Sequence, residues 1–167
     1  SVVPIEWRFW KINLLDTPGY MDFVGEAEEA LSVADSAIIV ISGKAGVEAG
    51  TERAWELCEK YELPRVFFVT DIDDANAAYA NIIEDLRGLY GKKIAPFHLP
   101  VKENGSFTGY VNVVKMMGRK STADGNKFED CDIESLNLSP ELEGELEPCR
   151  EALLEAVAET SEEYMNR

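Results

Sequence analysis

The chain has 167 residues, 46% of them hydrophobic, which suits one substantial core with a smaller appended unit and is too apolar for a disordered segment. Its 32 acids against 16 bases leave a formal charge of −16, a surface that repels a phosphate backbone, so direct nucleic-acid binding is not expected. The longest unbroken apolar stretch, residues 37–41, falls far short of the roughly 20 residues that a bilayer-crossing helix needs. No membrane partner is expected either.

The N-terminal text SVVPIEW has no initiator methionine, no basic region and no cleavage pattern, and it reads as strand material inside a longer protein rather than as a secretory signal. Residues 11–15 (KINLL) form a short apolar run that ends on Asp16 and turns through Thr17, Pro18 and Gly19 to Tyr20. Residues 24–33 and the alanine after them place Ala27, Ala30, Leu31 and Ala34 at i, i+3, i+4 and i+7, the stripe of an amphipathic helix. Asp22 stands before that pattern, where a carboxylate suits the positive end of a helix. Two further apolar runs, residues 36–42 (SAIIVIS) and 65–70 (RVFFVT), flank a second helical pattern over residues 51–61. A third helical pattern, residues 75–90, ends at Gly91, a residue suited to closing a helix. Strands apolar on both faces that alternate with helices predict an α/β sheet with right-handed crossovers, mostly parallel and covered on both sides.

Beyond His98 the pattern changes. Residues 107–120 and 126–133 read as strands joined by turns at 103–106 and 122–125, an antiparallel arrangement that marks an inserted α+β subdomain. Ser139, Pro140 and Glu141 then supply an N-cap, a first-turn proline and a first-turn acid. Leu146, Leu153, Leu154 and Val157 give that helix an apolar stripe, with Pro148 expected to kink it or to start a second helix. A capping box at residues 160–163 opens one more helix. Cys58, Cys131 and Cys149 lie too far apart for a C-x-x-C pair and are expected as buried thiols. His98, the single histidine, leaves little from which to build a histidine-rich metal site or a Ser-His-Asp triad.

The DTPG segment, Asp16 to Gly19, is where chemistry is expected. Pro-Gly alone is ordinary turn material. Placed at the C-terminal end of a strand in an α/β sheet, however, such a turn lines the ligand crevice. There an aspartate can hold magnesium through water, and a glycine lets its N–H approach a phosphate oxygen.

The ordered set KINLLDTPGYMDFVGEAEEAL, ADSAIIVISGKAGVEAGTERAWE, GKKIAPFHLPVKENGSFTGYVNVVK and ALLEAVAETSEEYM resembles the translational GTPases, elongation factor G above all. The resemblance covers nearly the whole chain. It implies a partial P-loop GTPase-like domain over residues 1–98 and part of the family's inserted subdomain over residues 99–167. It implies GTP and magnesium as ligands, the ribosome and its stalk protein as partners, the cytoplasm as location, and GTP hydrolysis by an intact parent. By the same resemblance Asp16, Thr17, Pro18 and Gly19 are the magnesium and γ-phosphate switch. Tyr20 occupies the place of the family histidine that orients the attacking water, with an aromatic packed near the switch as the other reading. A neutral phenol can donate or accept a hydrogen bond but cannot carry imidazolium charge.

The family's Asn-Lys-x-Asp loop falls on Thr70, Asp71, Ile72 and Asp73. Asp73 matches the acid that accepts from guanine N1 and N2, whereas Thr70 is shorter than the family asparagine and Asp71 replaces a lysine. A solvated acidic turn is the plain reading of Asp71, Asp73 and Asp74. No G-x-x-x-x-G-K-[ST] pattern occurs in the 167 residues, which predicts that the chain lies within a longer protein and binds nucleotide poorly by itself. The alternative is a degenerate GTPase-like module that docks a protein partner without effective hydrolysis, its acidic surface providing the complementarity.

Overall fold

The computed structural model describes residues 1–122 and 127–159, with Met21 described by its backbone alone. The capping box expected at 160–163 and most of the turn at 122–125 lie outside the described residues. Two compact units divide the chain, Ser1–Thr70 and Asp71–Arg167.

The first unit opens with β1 (Val2–Trp7) and β2 (Trp10–Leu15), an antiparallel hairpin in register from Val2 opposite Leu15 to Trp7 opposite Trp10. After β2 and a short turn comes α1 (Val24–Leu31), then β3 (Ala37–Ser42), α2 (Ala49–Lys60) and β4 (Arg65–Thr70). β3 and β4 pair in parallel, as a strand-helix-strand crossover requires. The run at 11–15, expected in this parallel sheet, pairs instead with β1, because residues 2–7 supply an adjacent extended segment across a tight turn.

Ile39 packs with Cys58 of α2 and Leu63, and Leu31, Ala34, Ala54, Trp55 and Phe67 close around them. Trp55 stacks on Phe67 with ring centroids 5.6 Å apart, and the Arg65 guanidinium lies 3.8 Å from the Trp55 ring centre. Lys60 reaches from α2 to Glu28 of α1 at 2.8 Å, which holds the Glu28 carboxyl below its usual range. The opposite face, Ile38, Val40, Val66 and Phe68, is exposed. Both-sided coverage is therefore realised on one side only.

The second unit begins with a loop, then α3 (Tyr79–Tyr90), shorter at its start than the helix expected from residue 75. Asp74 explains the late start: its carboxylate accepts from the Asn76 N–H at 2.8 Å and stabilises a turn instead of a helix. Gly91 follows α3 with φ +73°, open to glycine at little cost. β5 (His98–Glu103), β6 (Ser106–Asn112), β7 (Met117–Ser121) and β8 (Phe128–Cys131) form an antiparallel meander in chain order. Asn104 and Gly105 both adopt positive φ in the β5–β6 turn, the pairing that two-residue hairpins prefer. The run expected over 107–120 is thus two strands.

α4 (Pro140–Ala158) starts as expected, with Ser139 Oγ accepting from the Leu142 N–H at 3.2 Å. It continues through Pro148 as one helix. Leu146, Cys149 and Leu153 lie buried on one stripe either side of the proline, joining Leu99, Val101, Val111, Val113 and Leu136 in the core. That shared packing offsets the backbone hydrogen bond the proline cannot make.

Candidate functional site

The turn at residues 16–19 follows directly from the last residue of β2. Hairpin pairing continues one step into it: Asp16 N–H donates to the Ser1 carbonyl at 2.8 Å, and Ser1 Oγ donates to Asp16 Oδ2 at 3.2 Å. Asp16, Thr17 and Gly19 are exposed and Pro18 is half-buried. Nothing lies within 4 Å of where a Cβ on Gly19 would stand, which leaves its backbone approachable. The Gly19 carbonyl lies 3.8 Å from the Cβ position of Gly50, so the turn runs beside the first turn of α2.

α2 itself is capped locally. Thr51 is buried, its Oγ1 accepts from the Glu48 N–H at 3.3 Å, and its own N–H donates to the Glu48 carbonyl at 2.8 Å. This fixes the helix start next to the turn.

Tyr20 is 79% exposed, and its carbonyl accepts from the Phe23 N–H at 3.0 Å, opening the short helical turn Met21–Phe23 that carries the exposed Asp22. The phenol faces solvent. Such a group can hold a water molecule, but it cannot carry positive charge.

Thr70 ends β4 and joins it to the end of β3. Its Oγ1 donates to the Ile41 carbonyl at 3.4 Å and its carbonyl accepts from the Gly43 N–H at 2.8 Å. The loop after β3 is similarly tied, with Ser42 Oγ accepting from the Lys44 N–H at 3.3 Å and the Ala45 N–H at 3.4 Å.

Asp71 and Asp73 belong to the second unit, and both are exposed. Asp71 has φ +52°, a left-handed conformation that aspartate tolerates better than most residues. The Asp74 N–H donates to the Asp71 carbonyl at 3.1 Å, and the Ala77 N–H donates to the Asp74 carbonyl at 3.1 Å. This is a hydrogen-bonded turn with two exposed carboxylates, as a solvated acidic turn would be. One of its supports was not singled out from the sequence. Lys102 of β5 donates through Nζ to the carbonyls of Asp74 at 3.1 Å and Ala77 at 3.2 Å. A lysine between a valine and a glutamate gives no distinctive signal, and only the packing of β5 beside the loop shows where it reaches.

A cleft of 1110 Å³ in the second unit lies among α3, β5 and α4, lined by Tyr79, Arg87, Leu99, Lys102 and Cys149 among others. None of the residues at 16–20, 70, 71 or 73 lines it. Two of its polar groups are internally engaged: Tyr79 Oη donates to the His98 carbonyl at 2.8 Å, and Arg87 Nε donates to the Ile94 carbonyl at 3.3 Å. Burial raises the Tyr79 phenol and the Cys149 thiol above their usual ranges, keeping both protonated.

Among the described residues no group of three or more histidine, cysteine or acidic side chains could hold a metal. Asp16 is a single exposed carboxylate. That donor fits magnesium, which keeps several waters and needs one or two carboxylates beside phosphate oxygens, and does not fit a transition metal demanding a protein cage.

Comparison with known proteins agrees with this arrangement. The family described as the elongation factor Tu GTP binding domain matches residues 1–162. A mitochondrial ribosome-releasing factor 2 from Pongo abelii is 35% identical over 167 residues, 98% of this chain and 21% of that protein. Its counterpart from Bos taurus is 34% identical over the same coverage. A solved structure from Thermus thermophilus superposes with a TM-score of 0.84 at 36% identity, covering 98% of this chain and 24% of that one. The chain thus spans about a fifth of the length of the curated relatives it matches. Among the described residues no helix is long and apolar enough to cross a membrane. With an exposed DTPG turn after β2, a parallel β3–β4 pair and an antiparallel sheet in the second unit, the chain belongs to the elongation factor Tu GTP-binding-domain family, as an elongation-factor-G-like translational GTPase segment.

Proposed function

We propose that the intact protein binds GTP and magnesium, hydrolyses GTP on the ribosome, and works in the cytoplasm. The observation that carries this reading is the DTPG turn, exposed at the end of β2 beside the start of α2, in a chain matched by the family over residues 1–162. Asp16 would hold magnesium, and the Gly19 N–H would be the donor toward the γ-phosphate. Bound there, the ion neutralises charge on the phosphate oxygens. Tyr20 places the attacking water by hydrogen bonding alone, so its contribution is orientation without added positive charge. Asp73 accepts from the guanine base, and its exposure on the turn gives the carboxylate access to a ligand. Thr70 and Asp71 replace side chains that would bracket the base, which lowers guanine affinity relative to a complete loop.

Residues from Leu99 onward are the proposed contact for the ribosomal stalk protein. Acids dominate the exposed side of α4, including Glu141, Glu143, Glu147 and Glu151, which favours a basic partner surface.

The test is ribosome-stimulated GTP turnover by the intact protein, with Asp16→Ala as comparison. Stimulated turnover that Asp16→Ala abolishes is the expected result. Equal, salt-sensitive ribosome binding with and without nucleotide, and no turnover, would favour a docking module instead. The isolated 167 residues should bind GTP poorly, and a submillimolar dissociation constant by titration calorimetry contradicts that expectation.

A further inference from the structure

We infer that Lys102 is a positioning residue for guanine recognition, acting from the antiparallel sheet on the turn that carries Asp73. This rests on the reading of Asp73 as the base-accepting acid. The chain holds twice as many acids as bases, 32 against 16, so carboxylate partners for a lysine are plentiful. Lys102 nevertheless directs its ammonium at two backbone carbonyls of one loop, Asp74 at 3.1 Å and Ala77 at 3.2 Å. A charged donor shared between two carbonyls fixes their separation more firmly than a neutral contact does.

The strand is shaped for this reach. Register shifts between Val101 and Lys102 in the β5–β6 pairing, a bulge that turns successive side chains away from strict alternation. Val101 stays buried in the core, which anchors the backbone behind Lys102. Tyr79 Oη adds a second tie from the start of α3 to the other end of β5, at the His98 carbonyl. The clamped carbonyl of Asp74 belongs to the residue next to Asp73. Through the Asp74 N–H that residue is also coupled to the carbonyl of Asp71, whose φ of +52° needs outside support. Lys102 therefore holds the turn through its backbone while the carboxylates of Asp71 and Asp73 stay exposed.

The signature of this role is base discrimination, because inosine triphosphate differs from GTP only by the N2 amino group that Asp73 accepts from. In the intact protein, Lys102→Met should raise the dissociation constant for GTP roughly tenfold, the consequence of losing a charged hydrogen bond. It should bring the GTP-to-inosine-triphosphate affinity ratio close to unity. Lys102→Arg, which keeps two donors, should restore most of the ratio, and Lys102→Gln, with its neutral amide, should fall between. On an Asp73→Asn background Lys102→Met should lower discrimination no further, since the two act through the same contact.

If the unmodified protein prefers GTP over inosine triphosphate and Lys102→Met keeps the full preference, the positioning role is overturned while the nucleotide site stands. Effects of Lys102→Met and Asp73→Asn that simply add overturn it too. No preference in the unmodified protein removes both readings together. Should Lys102→Met be recovered unfolded, the graded pair Lys102→Arg and Lys102→Gln decides: equal ratios in the two reject the role.

Discussion

At the scale of single residues, Tyr20 and the Asp73 loop, where the chain departs from the family pattern, are also the places most directly tested. Tyr20 is exposed and lacks positive charge, so on the proposed role, replacing it by histidine introduces a group able to take such charge. Tyr20→His in the intact protein is expected to raise turnover at saturating GTP by at least about tenfold, with an ionisation near the usual histidine range. Stopped-flow phosphate release across pH checks this, and an unchanged rate would show that Tyr20 is not beside the attacking water. On the proposed role of Asp73, Asp73→Asn replaces one of the two carboxylate acceptors by an amide donor. A loss of about 1.5 to 3 kcal/mol, roughly ten- to hundredfold in affinity, is expected by fluorescent-nucleotide titration. Asp16, Gly19 and Asp73 could be singled out as candidates from the sequence because each sits inside a spaced motif. Lys102 could not, since a bulge and the packing of its strand decide where its side chain goes, and neither is written in local spacing.

Between helices and strands, packing decides stability. Gly109 of β6 pairs with Lys120 of β7, and a Cβ on Gly109 would stand 2.2 Å from the Arg119 carbonyl oxygen, a backbone atom that cannot step aside. Gly109→Ala is expected to destabilise the second unit by about 1 to 3 kcal/mol, or to open the β6–β7 pairing. Ser139→Ala, which removes the N-cap contact of α4, should cost about 1 kcal/mol. Denaturant unfolding distinguishes the two, because the cap variant keeps the cooperative transition of the parent. The elements themselves followed from period and capping residues, as Ser139-Pro140 shows. Where the reading differed, contacts outside the local pattern decided: β2 found β1, the Asp74 turn delayed α3, and buried Leu146 and Leu153 carried α4 through Pro148.

For the whole molecule, pH supplies a test of the second unit that involves no nucleotide. Partial desolvation of the ring lowers the pKa of the exposed His98 from its usual 6.5, and Asn112 Nδ2 lies 3.3 Å from Nε2, an arrangement suited to a neutral ring accepting there. Below about pH 6.5 the unfolded chain takes up a proton that the folded one resists. This contribution to stability is therefore complete above about 6.5 and is lost as pH falls through the lower folded value. Thermal melts of His98→Asn should show a shallower decline over that acidic window than the parent. The central claim is that the DTPG turn and the Asp73 loop both serve guanine nucleotide. Titrating the intact protein with labelled GTP and ATP, with and without magnesium, tests it most directly. GTP binding at least about tenfold tighter than ATP, about 1.4 kcal/mol, and weakened on magnesium removal is the predicted result. Equal affinity for the two nucleotides, indifferent to magnesium, would contradict it.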